Sequence, residues 1–115
     1  MSMKTLRTRQ DEIHENAVLH GWWEGWKECS ESALPEKILL VHAELSEAVE
    51  EYRDGKLDTR IGAGGKPEGF WIEMADAVIR ILDMAGAFGI DLEHLIEMKH
   101  QYNKTRPHRH GGKLI

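Results

Sequence analysis

The segment FWIEMADAVIRILDMAG, Phe70 to Gly86, limits the fold more than any other stretch of the chain. It has no proline, and as an α-helix at ~100° per residue it puts Glu73, Asp76, Arg80 and Asp83 on one narrow stripe. Phe70, Trp71, Ile72, Met74, Val78, Ile79, Ile81, Leu82 and Met84 cover almost all of the remaining surface. A helix that is apolar on nearly every side belongs at the centre of an assembly, with other helices around it. Acids on such a helix are costly to enclose unless they are paired or hold a cation. Asp83 lies within reach of Arg80, so an intrahelical ion pair is as good an expectation for it as a metal role.

A second helix, from about Pro35 to Asp54 and stopped by Gly55, supplies a partner. Leu34, Ile38, Val41, Leu45, Val49 and Tyr52 recur at helical spacing on one side. Glu44, Glu47, Glu51 and Asp54 share another stripe, with Leu40 among them. The chain therefore carries ExxE (Glu44, Glu47), then 25 residues, then ExxD (Glu73, Asp76). The i,i+3 spacing aims two carboxylates the same way from adjacent turns. Two such helices packed antiparallel would converge four oxygen ligands, Glu44, Glu47, Glu73 and Asp76. Hard oxygen donors suit Mg²⁺ or Mn²⁺ rather than zinc.

Around this pair the sequence predicts an all-α fold with no strands. The first helix spans Met3 to His20, with a thin stripe of Leu6, Ile13 and Ala17, and ends at Gly21. The aromatic connection GWWEGWKECSES follows, in which Ser30 or Ser32 caps the second helix. GKLDTRIGAGGKPEG is read as a flexible glycine-rich connection; it lacks the GK[ST] ending of a phosphate loop, because Pro67 follows Lys66. Asp91 caps a fourth helix through DLEHLIEMKHQYNK, and residues 107–115 form an irregular basic tail. The expectation is a single domain over residues 1–115, a bundle of about four helices per chain. One chain cannot cover the Phe70 helix, so homo-oligomerisation, to a dimer or tetramer, is expected to complete the bundle.

Composition narrows the class of partner. A net charge of −5, from 20 acids and 15 bases, argues against a binder of nucleic-acid polymers. A single cysteine excludes an internal disulfide, the polar start has no signal-peptide core, and no apolar run approaches ~18 residues. A cytoplasmic protein with no membrane span is the expectation.

ExxE followed by ExxD on two helices resembles the all-α nucleoside triphosphate pyrophosphohydrolases of the MazG-like group, relatives of the dimeric dUTPases and helical dCTP pyrophosphatases. The similarity is greatest over KPEGFWIEMADAVIRILD and YNKTRPHRHGGK. With LLVHAELSEAVEEYRDG and HGWWEGW it covers nearly the whole chain and matches the short single-domain type of bacteria and phages. The family often opens its first motif with a pair of glutamates, and this chain has Ala43 before Glu44. The resemblance implies Mg²⁺-dependent hydrolysis of a nucleoside triphosphate to the monophosphate and pyrophosphate, with Glu44, Glu47, Glu73 and Asp76 as the metal and catalytic set. Metal there would neutralise phosphate charge and make hydroxide available near neutral pH. An unligated carboxylate, Glu51 or Asp54, could orient the attacking water. The resemblance also implies that Lys99 and Asn103 meet the nucleotide and that Arg106 or Lys113 meets phosphate, groups chemically suited to that task. Arg80 is a further candidate for binding substrate.

The residues themselves suggest where a base would lie. Trp22 or Trp23 could stack one, and Asn16 and His20, one turn apart, could reach the same site. Two other functions compete. Glu97 and His100 form ExxH, one half of a di-iron signature, and a non-catalytic helical interaction module would leave the acidic stripes without a task.

Overall fold

The computed structural model describes residues 3–26 and 32–115. Four main helices make up the fold: α1 (Leu6–Leu19), α2 (Ala33–Arg53), α3 (Phe70–Ala87) and α4 (Leu92–Lys104), followed by a single turn, α5 (Arg109–Gly112). Their starts follow local chemistry. The Thr5 hydroxyl accepts from the Thr8 N–H at 3.1 Å to open α1, and the Asp91 carboxylate accepts from the His94 N–H at 3.1 Å to open α4. Ser32 stands at the N-cap position of α2 but its side chain makes no capping hydrogen bond, with Pro35 tolerated in the first turn; Ser30 lies outside the described residues. Gly55, at φ 72°, ends α2 in the left-handed conformation that a side chain would disfavour.

The connection between α2 and α3 differs from the expected featureless loop. Arg60–Ile61 (β1) and Pro67–Glu68 (β2) pair antiparallel, Arg60 opposite Glu68 and Ile61 opposite Pro67, around a 3₁₀ turn at Ala63–Gly65. The Arg60 guanidinium braces the hairpin, 3.3 Å from Glu68 and 3.6 Å from Glu51 on α2. Two-residue strands are too short to give a periodicity, which is why pattern reading passes over them. The hairpin hands the chain to α3 through Gly69 at φ 125°. A Cβ there would lie 2.5 Å from the Asp58 carbonyl oxygen, so only glycine fits.

Helices α2 and α3 form the main contact of the fold, and α1 crosses α3. Glu44 meets Arg80 while Glu47 meets Glu73, so α2 and α3 run antiparallel, as the paired motifs predict. At the α1–α3 crossing the helices approach closely: a Cβ on Gly86 would lie 2.7 Å from the His14 Cβ. Gln10 is 1% exposed there and donates to the Ile90 carbonyl at 2.8 Å. Helix α4 meets the others chiefly through α1, where Glu93 accepts from the Leu6 N–H at 3.1 Å.

The core of one chain is thin. Its buried apolar residues are Ala33, Ala48, Ala77, Leu82 and Ala85, and the stripe on α2 that the sequence marks as apolar (Ile38, Leu45, Val49, Tyr52) is exposed. On the acidic side of α2, Glu44 is buried and Glu51 half-buried, while Glu47 and Asp54 are exposed. The radius of gyration is 16.8 Å, against about 13 Å for a compact domain of this length. The accessible surface is 8963 Å², against roughly 6,400 Å² for a globular monomer of this mass. Among the described residues no helix is long and apolar enough to cross a membrane.

Candidate metal centre

Three of the four expected ligands converge. Glu44, Glu47 and Glu73 each present a carboxylate oxygen, and these oxygens lie within 4.8 Å of one another. Asp76, one turn further along α3, lines a cavity together with Glu44 rather than joining that tight group. Helix geometry sets the arrangement: i,i+3 pairs on two antiparallel helices meet across the α2–α3 seam. Gly69 contributes by fixing where α3 begins, its carbonyl accepting from the Glu73 N–H at 3.1 Å.

The electrostatics are those of a site short of positive charge. Burial, then hydrogen bonds to the Glu47 and Glu44 carboxyls and the charges of Glu47 and Asp76, push the Glu73 carboxyl up from 4.5 to about 7. Burial and then the charge of Glu44 raise Asp76 as well, Arg80 and Lys66 opposing. Glu73 Oε2 is buried without a hydrogen-bond partner among the described residues. A proton, a water or a cation would satisfy such an oxygen. All the donors are carboxylate oxygens, so Mg²⁺ and Mn²⁺ fit the set.

Arg80 and Asp83 do not form the intrahelical ion pair that is one of two expectations for Asp83, and Asp83 does not join the acid cluster either. Arg80 donates from Nε to Glu44 Oε1 at 2.8 Å, across the helix seam. Asp83 turns to α1 and the aromatic connection, with Oδ1 2.8 Å from His14 Nδ1 and the Trp23 indole N–H donating to both of its oxygens at 3.0 and 3.2 Å. The reason is geometric: side chains on a central helix reach across to neighbouring helices, and both acids on those neighbours and donors there outcompete the partner on the same helix.

A cavity of about 540 Å³ opens beside the cluster. Among the described residues its walls are Glu44 and Lys37 from α2, Asp76, Ile79, Arg80 and Asp83 from α3, Glu12, Ile13, Asn16 and Ala17 from α1, and Trp22. Glu44 and Asp76 thus share one space with an aromatic ring and an amide. Trp22 is 61% exposed on this cavity. Trp23 is half-buried and engaged: beyond Asp83, its ring lies under Lys37 at 4.2 Å and meets His14 edge-on at 5.5 Å. Of the two stacking candidates, Trp22 is the one facing open space. Asn16 lines the cavity, and His20 is exposed with Nδ1 2.8 Å from the Asn16 carbonyl oxygen. A second, smaller cavity of about 380 Å³ joins Glu51 and Asp54 to Glu47 and Glu73.

Lys99, Asn103, Arg106 and Lys113 lie on α4 and the tail and line neither cavity. Lys99 and Arg106 instead flank the Tyr102 ring, at 4.9 and 5.8 Å. Glu97 and His100, the ExxH pair, are exposed on α4; Glu97 accepts from Gln101, and the only metal-capable acidic group among the described residues is Glu44, Glu47 and Glu73. Sequence reasoning missed Lys37 and Lys66. Lys37 had a signal: it lies seven residues before Glu44, on the same helical face. Lys66 had none, since it reaches the field of Asp76 only because the hairpin folds back.

Compared with family models, curated proteins and solved structures, the chain matches none of them.

Proposed function

We propose that this protein is a Mg²⁺-dependent nucleoside triphosphate pyrophosphohydrolase that works as a homo-oligomer. The carrying observation is the continuity of the larger cavity, which runs from Glu44 and Asp76 to Trp22 and Asn16. That volume suits a nucleotide-sized ligand, since small-molecule sites span roughly 300–1,000 Å³. The motifs that resemble the MazG-like enzymes supply the same acids.

In this reading Glu44, Glu47 and Glu73, with Asp76, hold Mg²⁺ or Mn²⁺, which would screen the triphosphate and lower the pKa of water. The chain's own residues do the rest. Arg80 is held 2.8 Å from Glu44 and lines the cavity, so its guanidinium would lie within reach of a phosphate bound there. Glu51, braced by Arg60 and facing the cavity that contains Glu73, is placed to orient water. Trp22 offers a face to the base. Water adds to the α phosphorus, its bond to the bridging oxygen breaks, and pyrophosphate leaves.

Exposed surface supports the oligomer. One chain exposes roughly 2,500 Å² more than a monomer of its mass should, and obligate interfaces bury about 2,000–5,000 Å². The exposed stripe on α2 is the natural contact. Lys99, Asn103, Arg106 and Lys113 join the site in this reading when a neighbouring copy brings α4 to it.

Hydrolysis in ¹⁸O-water tests the chemistry: the label is expected in the monophosphate, with pyrophosphate released. Label in orthophosphate would mean cleavage at the γ phosphorus and would rule the reading out. A stable monomer in sedimentation at micromolar concentration would remove the oligomer from it.

A further inference from the structure

Lys37 is nine-tenths buried on α2 and lines the same cavity as Glu44 and Asp76. Its ammonium donates to the Trp22 carbonyl at 3.2 Å and lies over the rings of Trp23 and Trp26, 4.2 and 5.6 Å from their centroids. Indole faces hold a cation by electrostatic attraction without taking one of its hydrogens in a directed bond. An ammonium has three N–H donors, and here one is committed to a carbonyl. Among the described residues no carboxylate lies within ion-pair distance of it. Among the described residues, then, Lys37 keeps N–H donors beyond the bond to Trp22, and its charge is held in place rather than swinging in solvent.

Its position sets what it can touch. Lys37 and Glu44 share a face of α2, two turns or roughly 10 Å apart along the axis. A nucleotide with its phosphates at the acids extends its base toward the Trp22 end, where Lys37 waits. Asp83 also lines this region, but its oxygens already serve His14 and Trp23. Lys37 is the buried cation with something left to give.

We propose that Lys37 reads the base by donating to a ring carbonyl oxygen, so that the site takes guanine, cytosine, uracil or thymine nucleotides ahead of adenine nucleotides. This rests on the nucleotide reading above. A lysine meeting the guanine edge finds two adjacent acceptors, O6 and N7, whereas on adenine N7 is flanked by an amino donor. Adenine presents an amino group where guanine has its carbonyl, so two donors would face each other. A buried donor left unmatched carries the full cost of its desolvation.

The test is calorimetric binding of GTP, CTP, UTP and ATP in the presence of Ca²⁺, with turnover under Mg²⁺ measured separately. Wild-type protein is expected to bind the three carbonyl-bearing nucleotides at least about tenfold more tightly than ATP, the size of one charged hydrogen bond. Lys37→Met should bring that ratio to within about twofold without altering the preference for Mg²⁺ over no metal, and Lys37→Arg should restore it. Equal binding of ATP by the wild type overturns the proposal, even if Lys37→Met does not fold. So does a ratio that survives Lys37→Met. Base discrimination without any pyrophosphate release would sink the hydrolase reading and leave Lys37 its role; pyrophosphate release without discrimination would do the reverse. A protein that binds none of the four overturns both.

Discussion

Two acidic positions on one stripe of α3 have opposite surroundings. Asp83 faces donors, an imidazole at 2.8 Å and an indole N–H at 3.0 Å. Glu73, three helical turns nearer the N-terminus, faces Glu44 and Glu47, and is pushed up to about 7. The residue class and the helix are the same; the donor supply differs. A carboxylate met by donors on its own chain is a structural link, here between α1, the aromatic connection and α3. A carboxylate met by other carboxylates lacks balancing charge, which a proton or a cation would supply.

The strongest way to break this contrast is Glu73→Gln. The amide keeps the shape of the protonated acid, which the surroundings already favour, so the fold should persist with unchanged or higher melting temperature. Turnover should fall by about a thousandfold or more, since a ligand charge is lost from the site. Steady-state pyrophosphate release and a thermal melt check both halves. Activity within about tenfold of wild type at saturating Mg²⁺ would show that Glu73 is not a ligand.

Asp83→Asn should behave in the opposite way. It leaves His14 and Trp23 with a weaker, neutral acceptor, at a cost of about 1–3 kcal/mol in stability, while Mg²⁺ affinity is retained. Gly86→Ala probes the same junction from the backbone. The new Cβ would lie 2.7 Å from the His14 Cβ and 3.1 Å from its Cγ, so α1 must shift, and overpacking of this kind costs about 1–3 kcal/mol. Urea unfolding reads both. If either variant loses Mg²⁺ binding while keeping wild-type stability, the division between link and site is wrong.

How much of this was visible beforehand depends on the range of the interaction. The helices were legible because apolar periodicity and capping residues act within a few positions: Asp91 opens α4, Gly55 closes α2, and Phe70 begins α3 as its pattern indicates. The acid cluster was legible because two i,i+3 motifs have only one sensible way to converge. The partners of Arg80 and Asp83 were not, since they depend on which neighbouring helix lies within reach. The β1–β2 hairpin was missed because two-residue strands leave no pattern. The burial of Glu44 on α2, with Ile38 and Val49 left exposed, was not legible either, because periodicity marks a face without saying which neighbour covers it.

The smallest expected effect is also the most selective. Without metal, folded Glu73 holds its proton up to about pH 7, whereas its unfolded counterpart loses it near 4.5. Between those values the native state binds more protons than the unfolded state, so stability falls as pH rises through that window and then levels off. Asp76, raised in the same sense, adds to the fall. Saturating Mg²⁺ should reverse the trend, because the cation binds the deprotonated carboxylates and displaces the proton. Urea unfolding between about pH 5 and about pH 8, with chelator and then with Mg²⁺, gives the two slopes. Glu73→Gln should flatten the metal-free slope and abolish the reversal. A reversal that persists in Glu73→Gln would mean that Mg²⁺ stabilises the protein from some other place, and the contrast between the two ends of the α3 stripe would lose its meaning.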